Sequence, residues 1–163
     1  MGMIREARES DLEEIYNLIH FAFGNKEESD LVKQLISDGD LLFNLVFEFS
    51  DVILGNVVVS KITMEPDSGL FCGGVAPLSV LPESQSTGIG SQLMEAAIAK
   101  SKESNIDALF LLGDPNYYKR FNFKVSNLAN DYSVEHFQEL ELTKGCLTDM
   151  KSKVIYANAF MGL

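Results

Sequence analysis

The chain has no tryptophan, and only two cysteines, two histidines and four prolines in 163 residues. Cys72 and Cys146 stand far apart, with no partner at metal-ligand spacing, and His20 and His136 are equally isolated. That pattern encodes neither a disulfide framework nor a zinc site. Basic residues are also scarce. Thirteen Lys and Arg against 24 Asp and Glu leave a formal net charge of −11. Such a balance argues against nucleic acid and against anionic membrane surfaces as partners. No apolar run approaches the length of a bilayer span. The opening residues Met1 to Glu6 lack a signal-peptide core, and Glu6 stands where N-myristoylation needs Ser or Thr. A cytoplasmic protein fits best. Internal repeats and low-complexity linkers are missing too, so residues 1–163 read as one domain, long enough to bury a core.

What is present is an alternation of strand and helix patterns. Ile4 begins a short strand. Ser10 and Glu13 have the capping-box spacing, and Leu12, Ile15, Tyr16, Ile19 and Phe23 follow at helical intervals. Gly24-Asn25 ends that helix, and a second runs from about Glu27 to Ile36. Leu41–Phe49 and Val52–Thr63 read as a hairpin about Ser50-Asp51. Leu70–Leu81 is the next strand. It carries Pro77, which has no N–H for a ladder and so implies an edge, a bulge or a local splay. Gly88–Glu103 is a helix, with Met94 as plain core. Ile106–Leu112 is a continuous apolar run, as in a buried central strand. A short helix then carries Tyr117 and Tyr118, and Phe121–Val125 is a short strand. Ser133–Leu140 reads as a short helix and Val154–Ala157 as a last strand. This order implies a mixed α/β sheet with helices on both faces.

The most informative segment is Gln85-Ser86-Thr87-Gly88-Ile89-Gly90. It joins a strand to a helix through two glycines. The amides at such a helix start are free, and the dipole favours negative charge there. No charged residue lies between Glu83 and Glu95, so an anion bound here is expected to rest on backbone N–H groups, not a salt bridge. A P-loop needs Lys after the second glycine, where this chain has Ser91. A dinucleotide fingerprint needs a third glycine at Leu93 and an acid ending the next strand, and neither is present. A plain strand–helix turn that merely uses glycine remains as the alternative.

The flanks of the loop point further. Gln85-x-x-Gly88-x-Gly90 resembles the acetyl-CoA signature of the GNAT N-acetyltransferase superfamily, and Leu78-Ser79-Val80-Leu81-Pro82 resembles the strand before it. The block Gly113-Asp114-Pro115-Asn116-Tyr117-Tyr118-Lys119-Arg120-Phe121-Asn122-Phe123 is similar to a second family block, in a bacterial subgroup with Gly-Asp-Pro-x-Tyr-Tyr-x-Arg-Phe. Asn122 stands where that block usually has Gly, and Asn tolerates the left-handed backbone better than most residues.

The resemblance implies a GNAT fold whose sheet is splayed at the acetyl-CoA site. It also implies transfer of an acetyl group from acetyl-CoA, as co-substrate and without metal, to a primary amine by direct attack in a ternary complex. Backbone groups of Leu78, Ser79 and Val80 would pair with the pantetheine arm. Gln85 would open the cofactor-binding loop, and N–H groups from Ser86 through Thr87, Gly88, Ile89, Gly90 and Ser91 would hold the pyrophosphate. Asn116 or Asp114 would supply a further cofactor contact. Tyr118 would act as general acid toward the leaving thiolate, since a phenol with a pKa near 10 stays protonated at neutral pH. A core aromatic is the competing role for Tyr118. Glu65, Glu83 and Asp114 could each serve as a base, and none is singled out. The acceptor would be a small-molecule or peptide amine, with the acidic balance favouring a cationic one. A homodimer is compatible with the resemblance. A domain that binds acyl-CoA as a sensor and transfers nothing is the alternative reading.

Overall fold

The computed structural model describes residues 2–161. Strand β1 (Met3–Glu6) leads into helices α1 (Leu12–Phe23) and α2 (Glu27–Asp38). Strands β2 (Leu41–Phe49), β3 (Val52–Glu65) and β4 (Cys72–Val80) follow, then α3 (Ile89–Glu103) and β5 (Ala108–Leu112). The one-turn helix α4 (Pro115–Tyr118) precedes β6 (Lys124–Val125), β7 (Phe137–Glu141) and β8 (Lys153–Tyr156). The strands form one eight-stranded sheet in the order β1-β2-β3-β4-β5-β7-β6, with β8 on the far end of β3. Only β4 and β5 run parallel.

Strand alternation builds the two faces. Leu45, Phe47, Val57 and Val59 point to one side and meet Ile89, Leu93, Met94 and Ala97 of α3. Val46 and Val58 point to the other and meet Ile15, Leu18 and Ile19 of α1 and Leu31, Val32 and Leu35 of α2. The expected mixed sheet with helices on both faces is what forms. A third cluster fills the α1–α2 side at the other end, where Phe110 of β5 and Phe137 of β7 stack at 5.4 Å.

Three local expectations are corrected. The first concerns the start of α1. Ser10 sits inside a 3-10 turn over Glu9–Asp11 and caps nothing. The carboxylate that closes the box is Asp11, whose Oδ2 accepts from the Arg8 N–H at 2.7 Å. Arg5 of β1 fixes that carboxylate with two further hydrogen bonds, at 2.7 and 3.1 Å. The second concerns Ser133–Leu140. A single helical turn forms there, with the Phe137 N–H donating to Ser133 O at 3.0 Å. The chain then enters the sheet as β7, because β5 offers an open edge and Phe110 a stacking partner. The third concerns Phe121–Val125, which is strand only at Lys124–Val125; Phe121 closes a 3-10 turn over Lys119–Phe121. Asn122 follows at φ 73°, the left-handed conformation its side chain was expected to tolerate.

Candidate active site

The sheet opens between β4 and β5. These strands pair only where Cys72, Gly73 and Gly74 face Ala108, Leu109 and Phe110. Beyond Gly74, β4 stays with β3 while β5 goes on with β7. The β3–β4 register also slips here. Val57 faces Leu78 but Val59 faces Val75, so β4 carries an extra residue beside Pro77. Pro77 thus marks both a bulge and the start of the splay.

The open edge of β4 presents its backbone. The Leu81 N–H donates to Leu54 O of β3 at 2.9 Å. In an antiparallel pair the direction alternates residue by residue. Val80 and Leu78 therefore aim their N–H and C=O groups away from β3, into the gap. Val80 O accordingly accepts from Gln85 Nε2 at 3.1 Å. Ser79 turns its backbone toward Asn56 of β3 and buries its side chain.

A cleft of about 490 Å³ occupies the gap, with Leu78 and Val80 on its β4 wall. Its mouth is the loop and first turn of α3, through Ser84, Gln85, Ser86, Gly88, Ile89, Gly90 and Ser91. Gly88 is the N-cap at φ 91°, a conformation that costs a side chain dearly. It lets the chain turn so that the free N–H groups of the first α3 turn face the cleft. That turn holds no acidic residue, so no carboxylate at the start of α3 opposes a bound anion. Thr87 does not line the cleft; its hydroxyl donates back to Ser84 O at 2.5 Å.

The third wall comes from α4. Asp114 caps it by accepting from the Asn116 N–H at 2.9 Å. Asn116 itself is exposed and lies outside the cleft lining. Tyr117 lines the cleft, and its hydroxyl lies 3.2 Å from Ser91 Oγ on α3. Tyr118 stands one layer behind, edge-on to Tyr117 at 4.8 Å and packed on Phe121 and Phe123. Burial, and then the neighbouring Tyr117, push the Tyr118 phenol above its ordinary pKa. It is therefore neutral and carries its proton at physiological pH.

Two lining residues were missing from the sequence reading. Tyr117 appeared there only as a neighbour of Tyr118. Arg120 supplies a cation to a cleft whose loop has none. Its guanidinium lies over the Tyr117 ring at 4.2 Å, and its Nε donates to Tyr117 O at 2.8 Å. The loop itself remains without a charged side chain, as its sequence shows, and the cation comes from a separate segment. The signal available was the i, i+3 spacing of Tyr117 and Arg120 on one turn. No group of three or more metal-ligating side chains occurs among the described residues.

The family of the fold follows from comparison with known proteins. A family profile described as Acetyltransferase (GNAT) domain matches residues 3–126. The chain belongs to that family. It is 31% identical over 119 residues to the uncharacterized N-acetyltransferase YjhQ of Escherichia coli K12, covering 71% of this chain and 65% of that protein. The matched stretch is thus a little under two thirds of that relative's length. Among solved structures, the Escherichia coli GNAT family N-acetyltransferase YhbS in complex with CoA superimposes with a TM-score of 0.92 at 28% identity, covering 98% of this chain and 91% of that one. A Brucella melitensis GNAT family acetyltransferase in complex with acetyl-CoA gives 0.82 at 30% identity, covering 98% of each.

Proposed function

We propose that this protein transfers the acetyl group of acetyl-CoA to a primary amine by direct attack in a ternary complex. The observation that carries the reading is the parting of β4 from β5, which opens onto the N-terminus of α3. That gap offers a strand edge for an amide-bearing arm and free helix amides for phosphate. The solved relatives with CoA and acetyl-CoA support the same use of the gap here. The Gly113–Phe123 block motivates placing the chain in the subgroup that shares it.

In this reading the backbone groups of Leu78 and Val80 bind the pantetheine amides. The first-turn amides at Ile89, Gly90 and Ser91 hold the pyrophosphate. A β4 N–H beside the reacting carbon polarises the thioester carbonyl as an oxyanion donor. The amine nitrogen bonds to that carbon, the carbon–sulfur bond breaks, and the thiolate takes the Tyr118 proton. The amine's surplus proton leaves to solvent. Tyr118 then regains its own from water. Tyr118 is preferred as the acid because its phenol holds its proton and packs edge-on behind Tyr117, which lines the cleft.

A thiol-release screen tests this. Protein, acetyl-CoA and a panel of primary amines are mixed, free thiol is followed, and acetylated amine is identified by mass. The expected result is matched appearance of thiol and acetylated amine, strongest for cationic acceptors. Stabilisation by acetyl-CoA with no thiol released from any amine would sink the enzyme reading and favour a binding module.

A further inference from the structure

Arg120 has a role that the loop alone cannot fill. Among the described residues it is the one charged side chain on the cleft wall. No carboxylate pairs with it among the described residues, although the chain carries 24 acids. Its position is braced rather than floating. The Tyr117 hydroxyl reaches Ser91 on the first turn of α3 at 3.2 Å, so the Tyr117 ring is fixed beside the helix start. Arg120 lies on that ring at 4.2 Å, with Nε engaged by Tyr117 O at 2.8 Å. Neither terminal nitrogen is hydrogen-bonded among the described residues, which leaves a fork suited to phosphate oxygens. Helix amides and a stacked guanidinium thus converge on one cleft from two separate segments.

We propose that Arg120, held by Tyr117, is a phosphate-reading residue that makes the cleft select CoA thioesters over phosphate-free pantetheine thioesters. This rests on the reading of the cleft as the acetyl-CoA site. A backbone cradle offers an anion only the partial charge of the helix end. A fixed guanidinium adds a charge-assisted contact that a phosphate-free ligand leaves empty. It also adds a salt dependence, since an exposed cation is screened.

The test is a set of binding titrations on the full chain, with CoA, dephospho-CoA and S-acetylpantetheine as probes. Arg120→Gln is expected to weaken CoA about 10- to 100-fold, the range of a charged hydrogen bond. Arg120→Lys should lose less, and Tyr117→Ala should lose part of the effect by freeing Arg120. S-acetylpantetheine should bind wild type and Arg120→Gln alike, and the CoA titration should lose salt sensitivity in the variant. A penalty that vanishes with dephospho-CoA assigns the contact to the 3′-phosphate. A penalty that persists assigns it to the pyrophosphate. Equal losses for CoA and S-acetylpantetheine, or no loss for either, would overturn the proposal. Wild type that binds neither CoA nor S-acetylpantetheine would instead overturn the reading of the cleft. Unliganded melting temperatures check that this exposed substitution leaves the fold intact.

Discussion

Gly113 and Tyr118 are in such close contact that a Cβ on Gly113 would stand 2.4 Å from Tyr118 Cε2. The neighbouring atom belongs to a ring wedged between Tyr117, Phe121 and Phe123, so it has no free direction in which to retreat. Gly113→Ala is therefore expected to lower stability by about 1–3 kcal/mol, as overpacking does. It should also lower the transfer rate by more than its effect on acetyl-CoA binding, because the ring is displaced but the α3 mouth is not. Thermal unfolding, binding and thiol release on the same variant separate these effects.

Tyr118→Phe keeps the ring and removes the proton. Loss of a general acid lowers turnover by about 10²–10⁴-fold while leaving the packing intact. The phenol's raised pKa fixes the pH dependence. Wild-type activity should not decline as pH approaches 10, since the buried group still holds its proton there. The stability linkage has the same sign. The folded value exceeds the unfolded one, so this contribution is complete below pH 10 and is lost as pH rises through the folded value. A rate equal to wild type across the pH range would remove Tyr118 from the chemistry and leave it a core aromatic.

The reach of sequence reasoning here followed contiguity. Gln85 to Gly90 was legible because its strand, loop and helix start are adjacent in the chain, and the glycine requirement is local. Arg120 lies thirty residues beyond Gly90 in the chain and enters the same cleft only because Tyr117 bridges α4 to Ser91 on α3. Nothing in a linear reading supplies that bridge. Strand β7 was hidden for a different reason. Gln138 and Glu139 are polar yet buried at 0% and 7% exposure, so the residues that should mark the outer face of a strand mark nothing. Gln138 is held inside because its Nε2 donates to Gly113 O at 2.8 Å, at the corner beneath Tyr118. Ser10 offered a good cap by type and spacing, and lost to Asp11 because Arg5 holds that carboxylate where it accepts from the Arg8 N–H.

The loop separates backbone from side-chain effects. Gly88 has open space around its Cβ position but sits at φ 91°, so a substitution there suffers from conformation and not from crowding. Gly88→Val is expected to cost roughly 1–3 kcal/mol of strain, or to reshape the loop and misaim the α3 amides. Either outcome should weaken acetyl-CoA binding at least tenfold. Ser86→Ala should have little effect, because the Ser86 side chain is exposed and the amides remain in place. Thr87→Ala should cost only the bond to Ser84 O, about 0.5–1.5 kcal/mol at most. Titrations with acetyl-CoA over these three variants give the ranking. Equal losses at all three positions would mean that side chains, not backbone, hold the ligand.

Arg5 controls the acid limb of stability. It joins Asp11 at 2.7 Å and Glu48 at 2.9 Å, tying β1 to the turn before α1 and to β2. Its hydrogen bonds are the first cause that holds both carboxyls below their usual range. Their folded pKa values lie below the unfolded ones, so the stabilisation is present above about pH 4 and is lost as pH falls through the folded values. Arg5→Met should therefore lower stability at neutral pH and flatten its fall between about pH 5 and pH 2. Removing Arg5 also leaves Asp11 without its charge partner, although the Arg8 N–H still donates to it at 2.7 Å. Arg5→Met together with Asp11→Asn should thus recover part of the loss at neutral pH. Urea unfolding of both variants at a series of pH values reads this out. An acid limb in Arg5→Met as steep as in wild type would show that other carboxylates, not this pair, govern the acid unfolding.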